Sequence, residues 1–206
     1  MGQRQDFFKE AVYRNYRPFK HDKLSASDLE RTGLLPVVTD IYQSLGGQYD
    51  KPPLNYGPWD IPTSDFIIEL DEERHFNRYR METLSSDFYT THNPFPLSNY
   101  REYCKGMEQH CLSAAKWGKN WKNDSTEKMF PQSNADGDLS GNGSSRWRQR
   151  AFYDFLKDIT SGAKGIPVIR VSIYDRFRHN TINEILKKKD LRMISDFINE
   201  LKYSIL

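Results

Sequence analysis

The ionisable residues that suggest chemistry lie between residues 64 and 80, which read SDFIIELDEERHFNRYR. An apolar run precedes two carboxylates, Glu69 and Asp71, and a histidine and three arginines follow within nine residues of Asp71. Side chains alternate along a strand, so Glu69 and Asp71 share one face of the strand that this run predicts. Neighbouring carboxylates repel each other unless a cation lies between them, and Mg2+ prefers hard carboxylate oxygens. The sequence therefore predicts a divalent metal ion at the end of this strand.

A third carboxylate is expected from the segment upstream. Residues 56–61 predict a short strand, and a turn at 61–64 would fold it against the acidic strand, so that Asp60 meets Glu69 across a hairpin. Asp65 is in phase with Glu69, but it lies four residues upstream, about 13 Å away along an extended chain. We therefore expect Asp60, rather than Asp65, to complete the metal site.

The charges of the chain are unevenly distributed, although the net charge is only +2. Residues 60–75 contain six acidic residues and one arginine, whereas residues 170–192 contain seven Lys or Arg and three Asp or Glu. This separation suggests a metal at the first segment and a polyanion at the second. Chance clustering on a solvated surface explains the same pattern equally well on charge alone.

The elements that must position these residues are helices and strands in mixed order. Helices are predicted over residues 6–16, from a capping box at 27–30, and from Asn99 through both cysteines. A polar, glycine-rich segment, 123–145, is expected to be a mobile loop.

The second half of the chain predicts a helix, a strand and two further helices. The apolar stripe of 147–159 is followed, after a short joint, by a strand at 166–174, and this order implies a crossover to a parallel strand. A capping box at 181–184 and Asp190 begin the two final helices. The predicted fold class is α/β, with a mixed sheet flanked by helices.

Composition excludes several classes of protein. No segment approaches the ~20 apolar residues of a membrane span, and the N-terminus has no apolar signal core, so we expect a cytoplasmic protein without a membrane partner. Two cysteines, Cys104 and Cys111, make no disulfide framework. With His110 they suggest zinc only weakly, because a second ligand pair at finger-like spacing is missing, and we expect both to lie in the core.

Two segments carry a resemblance to a known family. Glu69-Leu70-Asp71, followed by His75-Phe76, resembles the E-x-D-x-x-x-H-F segment of small PD-(D/E)xK-superfamily domains related to very-short-patch-repair endonucleases. The helix at 148–158 and the GIPVIRV strand at 165–171 are similar to the arginine-bearing helix and final strand of that family. The order of elements agrees over about 25–174, while the residue match is confined to these two segments.

The chain also departs from the family pattern. Asp71 stands where the (D/E)xK signature has a lysine, and Glu72 stands where a glycine usually follows. The insertion at 85–145 is longer than the family minimum. These departures put the catalytic activity, more than the fold, in question.

The resemblance implies one nuclease-like domain over 1–206, with a restriction-endonuclease-like core, C-terminal helices, and an inserted helix and mobile loop at about 85–145. Its implied function is metal-dependent endonucleolytic hydrolysis of phosphodiester bonds in double-stranded DNA, in restriction or phage defence. Mg2+ would be the cofactor, with Mn2+ as a substitute, and a homodimer or a defence-system protein would be the partner. The implied catalytic residues are Asp60, Glu69, Asp71 and His75, of which the first three are also metal ligands.

The resemblance also assigns roles within this set. Asp60 and Glu69 would hold the ion, with the Leu70 carbonyl as a third ligand. Without the signature lysine, the attacking water would be oriented by His75 or by a second metal at Asp71. The arginines expected to bind phosphates are Arg78, Arg80, Arg146, Arg148, Arg150 and Arg170.

Two other classes of protein fit the same sequence. One is a catalytically inactive, nuclease-like subunit that only binds nucleic acid, as the missing lysine suggests. The other is a partner or structural protein whose acidic strand is merely exposed. Cleavage in the presence of a metal separates an enzyme from the first alternative, and binding of neither metal nor nucleic acid would favour the second.

Overall fold

The computed structural model describes residues 2–92, 95–115 and 118–203, with 3-10 turns at Glu73–His75 and Gly118–Asn120. The strands are β1 (Ile61–Pro62), β2 (Ile67–Asp71), β3 (Val168–Ser172), β4 (Arg176–Phe177) and β5 (Asn180–Thr181). The helices are α1 (Gln3–Tyr13), α2 (Ala26–Thr32), α3 (Leu35–Ser44), α4 (Arg78–Thr83), α5 (Phe88–Thr91), α6 (Leu97–Gly106), α7 (Glu108–Ala115), α8 (Asp124–Met129), α9 (Ser145–Lys164), α10 (Ile182–Lys188) and α11 (Leu191–Tyr203). Helices predominate, and the α/β class is confirmed.

The contacts group the chain into two compact units, each assembled from separate stretches of sequence. The first unit takes the described residues of 1–22, 58–72 and 166–206, and the second takes those of 23–57 and 73–165. All five strands, with α1, α10 and α11, belong to the first unit, and α2 to α9 belong to the second. The expectation of a single domain over 1–206 stays a prediction.

The first unit contains a mixed three-stranded sheet in the order β1-β2-β3. β1 runs antiparallel to β2, with Ile61 opposite Ile68, and β2 runs parallel to β3, with Glu69 beside Arg170. The predicted hairpin and the predicted parallel strand are therefore both confirmed. The first strand begins at Ile61, where the sequence pattern placed its end, and the additional β4-β5 hairpin was not predicted.

The sheet has one apolar face, as side-chain alternation predicts. The core of the first unit includes Ile68 and Leu70 from β2 and Ile169 and Val171 from β3. Apolar residues of α1, α10 and α11 complete this core. The intervening side chains, including Glu69 and Asp71, therefore belong to the other face of β2.

The second unit is built around α9, the 20-residue helix, which contacts α2, α3, α4 and α8. The Ser144 hydroxyl caps the start of α9 by accepting a hydrogen bond from the Trp147 N–H. The helix ends at Gly165, whose φ of 68° is in the left-handed region that favours glycine. Among the described residues no helix combines the length and apolar character that a membrane span requires.

Helix starts were the least accurately predicted features. α2 is capped by Ser25 with Asp28, not by Ser27 with Glu30, because both reciprocal hydrogen bonds of the capping box form between Ser25 and Asp28. α6 begins at Leu97, before the predicted Asn99 cap.

The segment expected to be a loop at 123–145 contains a helix, α8. Its start is stabilised by a capping box between Asn123 and Thr126, in which each side chain accepts from the backbone of the other residue. Polar composition concealed this helix, since Asn and Thr favour both loops and caps.

The two cysteines lie on separate helices, α6 and α7, because the predicted continuous helix is broken at Met107. Cys104 and Cys111 are both buried thiols outside any disulfide, which confirms the expected core positions. Burial raises the pKa of the Cys111 thiol to about 12, so this side chain is a neutral thiol at neutral pH.

Candidate functional site

The carboxylates predicted to meet across the hairpin are held together by two hydrogen bonds. The Asp60 N–H donates to Glu69 Oε1 at 3.0 Å, and the Leu70 N–H donates to Asp60 Oδ2 at 3.0 Å. Glu69 is buried, with 1% of its surface exposed, and Asp60 is half-buried. Asp65 lies exposed beside the Ser64 hydroxyl, which donates to its carboxylate. The structure thus brings Asp60, and not Asp65, to Glu69.

Asp71, the second acid of the strand, forms a buried ion pair within the same unit. Arg170 Nη1 donates to Asp71 Oδ1 at 2.6 Å and to Oδ2 at 2.9 Å. Both side chains are almost completely buried, and Arg170 lies in register beside Glu69. Sequence reasoning assigned Arg170 to phosphate binding but did not predict this pair, whose members are separated by 99 residues.

The three predicted metal ligands, Asp60, Glu69 and Asp71, have different hydrogen-bond partners. Asp60 and Glu69 offer hard carboxylate oxygens, of the kind that Mg2+ prefers, and each accepts a backbone N–H bond. Asp71 directs both oxygens at Arg170, which already supplies positive charge. Asp60 and Glu69 thus lie together on the hairpin, whereas Asp71 is paired with Arg170.

His75 belongs to the second unit, where it pairs with a carboxylate from α9. His75 Nδ1 lies 2.8 Å from Asp154 Oδ2, with 24% of the histidine and 5% of the aspartate side chain exposed. A carboxylate at one ring nitrogen fixes the orientation of an imidazole. Sequence reasoning missed Asp154, although an aspartate inside the apolar stripe of a helix indicates a carboxylate that is buried against a partner.

Two of the predicted phosphate-binding arginines have protein partners in the second unit. Exposed Arg78 forms a two-pronged pair with Glu108, at 2.9 Å and 2.8 Å, and these hydrogen bonds raise the pKa of Arg78 and lower that of Glu108. Arg80 is buried and donates to Asp158 at 2.7 Å, and the Tyr89 hydroxyl donates to the same carboxylate oxygen. Arg80 is therefore an interior residue, and we remove it from the phosphate-binding set.

The Arg148 side chain also binds protein groups. Its guanidinium donates to the Leu45 carbonyl at 2.7 Å and to the Asn142 carbonyl, and it lies 4.6 Å from the centre of the Tyr79 ring. The structure does not bring Arg78, Arg80 and Arg148 together on one surface patch. Arg146 and Arg150 differ from these three in their surroundings.

Arg146 and Arg150 line a cavity of about 200 Å3 within the second unit. Burial lowers the pKa of Arg150 to about 10, with a further contribution from repulsion by Arg74 and Arg146. Burial also lowers the pKa of Arg146. The complete lining consists of Gly57, His75, Arg146, Arg150, Tyr153, Asp154 and Lys157.

Fold and site together define a helix-rich α/β protein. One unit contains the hairpin that carries Asp60 and Glu69, here called the carboxylate hairpin, and the other contains the cavity lined by Arg146 and Arg150, here called the cationic cavity. The chain belongs to DUF7255, described as a family of unknown function, whose sequence model matches residues 40–188. No curated protein and no solved structure matches the chain. The matched region includes the hairpin, the cavity and Arg170.

Proposed function

We propose that the protein is a metal-dependent nuclease that hydrolyses phosphodiester bonds in DNA at the carboxylate hairpin of its first unit. The observation that carries the proposal is the double hydrogen bond that fixes Asp60 against Glu69 and Leu70. Such a bond pair holds two hard-oxygen side chains in a defined geometry before any ligand arrives. The sheet supports a restriction-endonuclease-like core, because an acidic hairpin is followed by a parallel strand.

In this proposal Asp60 and Glu69 hold Mg2+ or Mn2+, with the Leu70 carbonyl as a predicted third ligand. A bound ion supplies a water of lowered pKa and neutralises charge on the phosphate. Arg170 places a guanidinium on the strand beside Glu69 and so provides the positive charge that the missing signature lysine would otherwise bring. Asp71 orients that guanidinium through its two oxygens. The catalytic role of His75 stays a prediction.

A nuclease-like subunit that binds nucleic acid without cleaving it is the second candidate function. The ion pair between Asp71 and Arg170 favours it, because this pair occupies both oxygens of the acid that replaces the signature lysine. Four further properties stay predictions for either candidate: a duplex DNA substrate, a defence setting, a cytoplasmic location, and a homodimeric or defence-system partner.

Cleavage assays on the purified full chain test the proposal. Supercoiled plasmid, single-stranded DNA and RNA are each incubated with Mg2+, with Mn2+ or with EDTA. The proposal predicts cleavage of DNA with metal and none with EDTA. Binding of DNA without cleavage under any metal condition would reject the nuclease and leave the second candidate.

A conservative change at Asp65 provides a matched control on the same hairpin. Asp65→Asn removes an exposed carboxylate that accepts a hydrogen bond from the neighbouring Ser64 hydroxyl, so the unfolding free energy should change by less than about 0.5 kcal/mol. Cleavage should stay at the wild-type rate, whereas Asp60→Asn should remove it. Initial rates of plasmid nicking measure both effects. An equal loss in the two variants would show that the hairpin geometry does not select Asp60.

A further inference from the structure

The cavity of the second unit is lined by an excess of positive charge. Arg146 and Arg150 are positively charged at neutral pH, and Lys157 and His75 also line the cavity. Asp154 is the carboxylate of the lining, and its Oδ2 already contacts His75. The cavity wall therefore has more cationic groups than its own carboxylate neutralises.

The arginines around the cavity contact neutral groups. Arg150 donates to the Arg74 carbonyl at 3.4 Å, Arg74 donates to Asn120 Oδ1 at 2.9 Å, and Arg146 donates to the Gln149 side chain. Within the described ranges 2–92, 95–115 and 118–203, none of these three guanidinium groups forms an ion pair with a carboxylate. Arg78 and Arg80, by contrast, each have one.

This arrangement is unfavourable for folding in the absence of an anion. The pKa of Arg150 falls chiefly because the group is buried, and repulsion by Arg74 and Arg146 also lowers it, while attraction to Asp154 opposes the fall. A group whose folded pKa lies below its unfolded value reduces stability at every pH where it remains charged. Clustered, desolvated cations that weaken a fold are typical of a ligand-binding site rather than of a structural core.

We propose that this cavity binds the terminal phosphate of a phosphomonoester. Guanidinium groups such as those of Arg146 and Arg150 match phosphate oxygens in a two-pronged geometry. Tyr153 adds a phenol O–H as a further donor. The phosphate dianion balances the charge that Arg146 and Arg150 leave uncompensated.

The size of the cavity selects a small anion. A volume of about 200 Å3 equals about seven waters at ~30 Å3 each, and it is below the ~300 Å3 lower bound of pockets for drug-sized ligands. A phosphate group with its ester carbon fits this space, while a whole nucleotide extends out of it. The site stands on the second unit alone and does not depend on cleavage at the hairpin.

Calorimetric titration of the full chain with inorganic phosphate tests the site, in EDTA and at constant ionic strength. Wild-type protein is compared with Arg150→Gln, and with Arg148→Gln as an arginine control on the same helix whose guanidinium binds the carbonyls of Leu45 and Asn142. We expect phosphate affinity to fall about tenfold or more in Arg150→Gln and to persist in Arg148→Gln. Equal affinity in wild type and Arg150→Gln, or no binding by the wild type, would overturn the proposal.

A stability measurement and a second variant keep the test decisive. Without phosphate, the urea midpoint of Arg150→Gln should equal or exceed that of the wild type, because a desolvated and repelled charge is removed. If Arg150→Gln does not fold, Arg150→Lys takes its place, since it keeps the charge but loses the two-pronged contact, and unchanged affinity there would also overturn the site.

The chemical class is tested with two ligand pairs. A short oligonucleotide with a 5′-phosphate should bind more tightly than the same oligonucleotide with a 5′-hydroxyl, and phosphate should bind more tightly than acetate. Equal binding within either pair would reject a phosphomonoester as the ligand.

Discussion

Glu69→Gln is expected to abolish metal-dependent DNA cleavage while leaving the protein folded. Glutamine keeps the shape of glutamate and a carbonyl oxygen that can accept the Asp60 N–H bond of 3.0 Å. It removes the negative charge that would hold the proposed ion. We expect the cleavage rate to fall more than about 100-fold, which exceeds the usual effect of removing an outer partner of a metal ligand.

Plasmid nicking, measured beside circular dichroism and urea unfolding, checks this expectation. Asp65→Asn is the matched variant, since it also converts an acid to an amide on the hairpin but lies exposed. Cleavage that persists both in EDTA and in Glu69→Gln, in protein free of contaminating nuclease, would place the reaction elsewhere.

Arg80→Ala is expected to destabilise the protein by about 3–5 kcal/mol, the range for removing one partner of a buried ion pair. Its guanidinium neutralises Asp158 at 2.7 Å in the interior of the second unit, and it also donates to the Thr83 hydroxyl at 3.1 Å. Arg78→Ala is the control two residues away. Half of the Arg78 side chain is exposed, so its pair with Glu108 contributes about 0–1 kcal/mol.

Urea unfolding of the two variants separates an interior role from a phosphate-binding role for Arg80. An interior role predicts a large shift of the midpoint for Arg80→Ala and a small one for Arg78→Ala. Weaker DNA binding by Arg80→Ala with an unchanged midpoint would restore Arg80 to the phosphate-binding set.

The features that the sequence predicted well are local or periodic. Alternation along 66–71 identified β2 and its two faces, and the capping box at Thr181 with Glu184 identified the start of α10. The turn before β2 brought Asp60 to Glu69 because a hairpin register is set by a few adjacent residues. Such signals require no knowledge of distant partners.

The features that the sequence did not predict depend on partners far along the chain. Arg80 and Asp158 are separated by 78 residues, and no local pattern distinguishes Arg80 from exposed Arg78. Likewise, Asp154 and Lys157 are buried within the apolar stripe of α9, where charged residues are usually assumed to face solvent. Both side chains line the cavity of the second unit, so the sequence alone did not predict this cavity.

Mn2+ titration, followed by electron paramagnetic resonance, is the measurement that tests most directly whether Asp60 and Glu69 hold a divalent ion. The full chain should bind one Mn2+ at the hairpin, Asp65→Asn should bind it with the same affinity, and Glu69→Gln should lose it. Equal Mn2+ affinity in the wild type and Glu69→Gln would contradict the account.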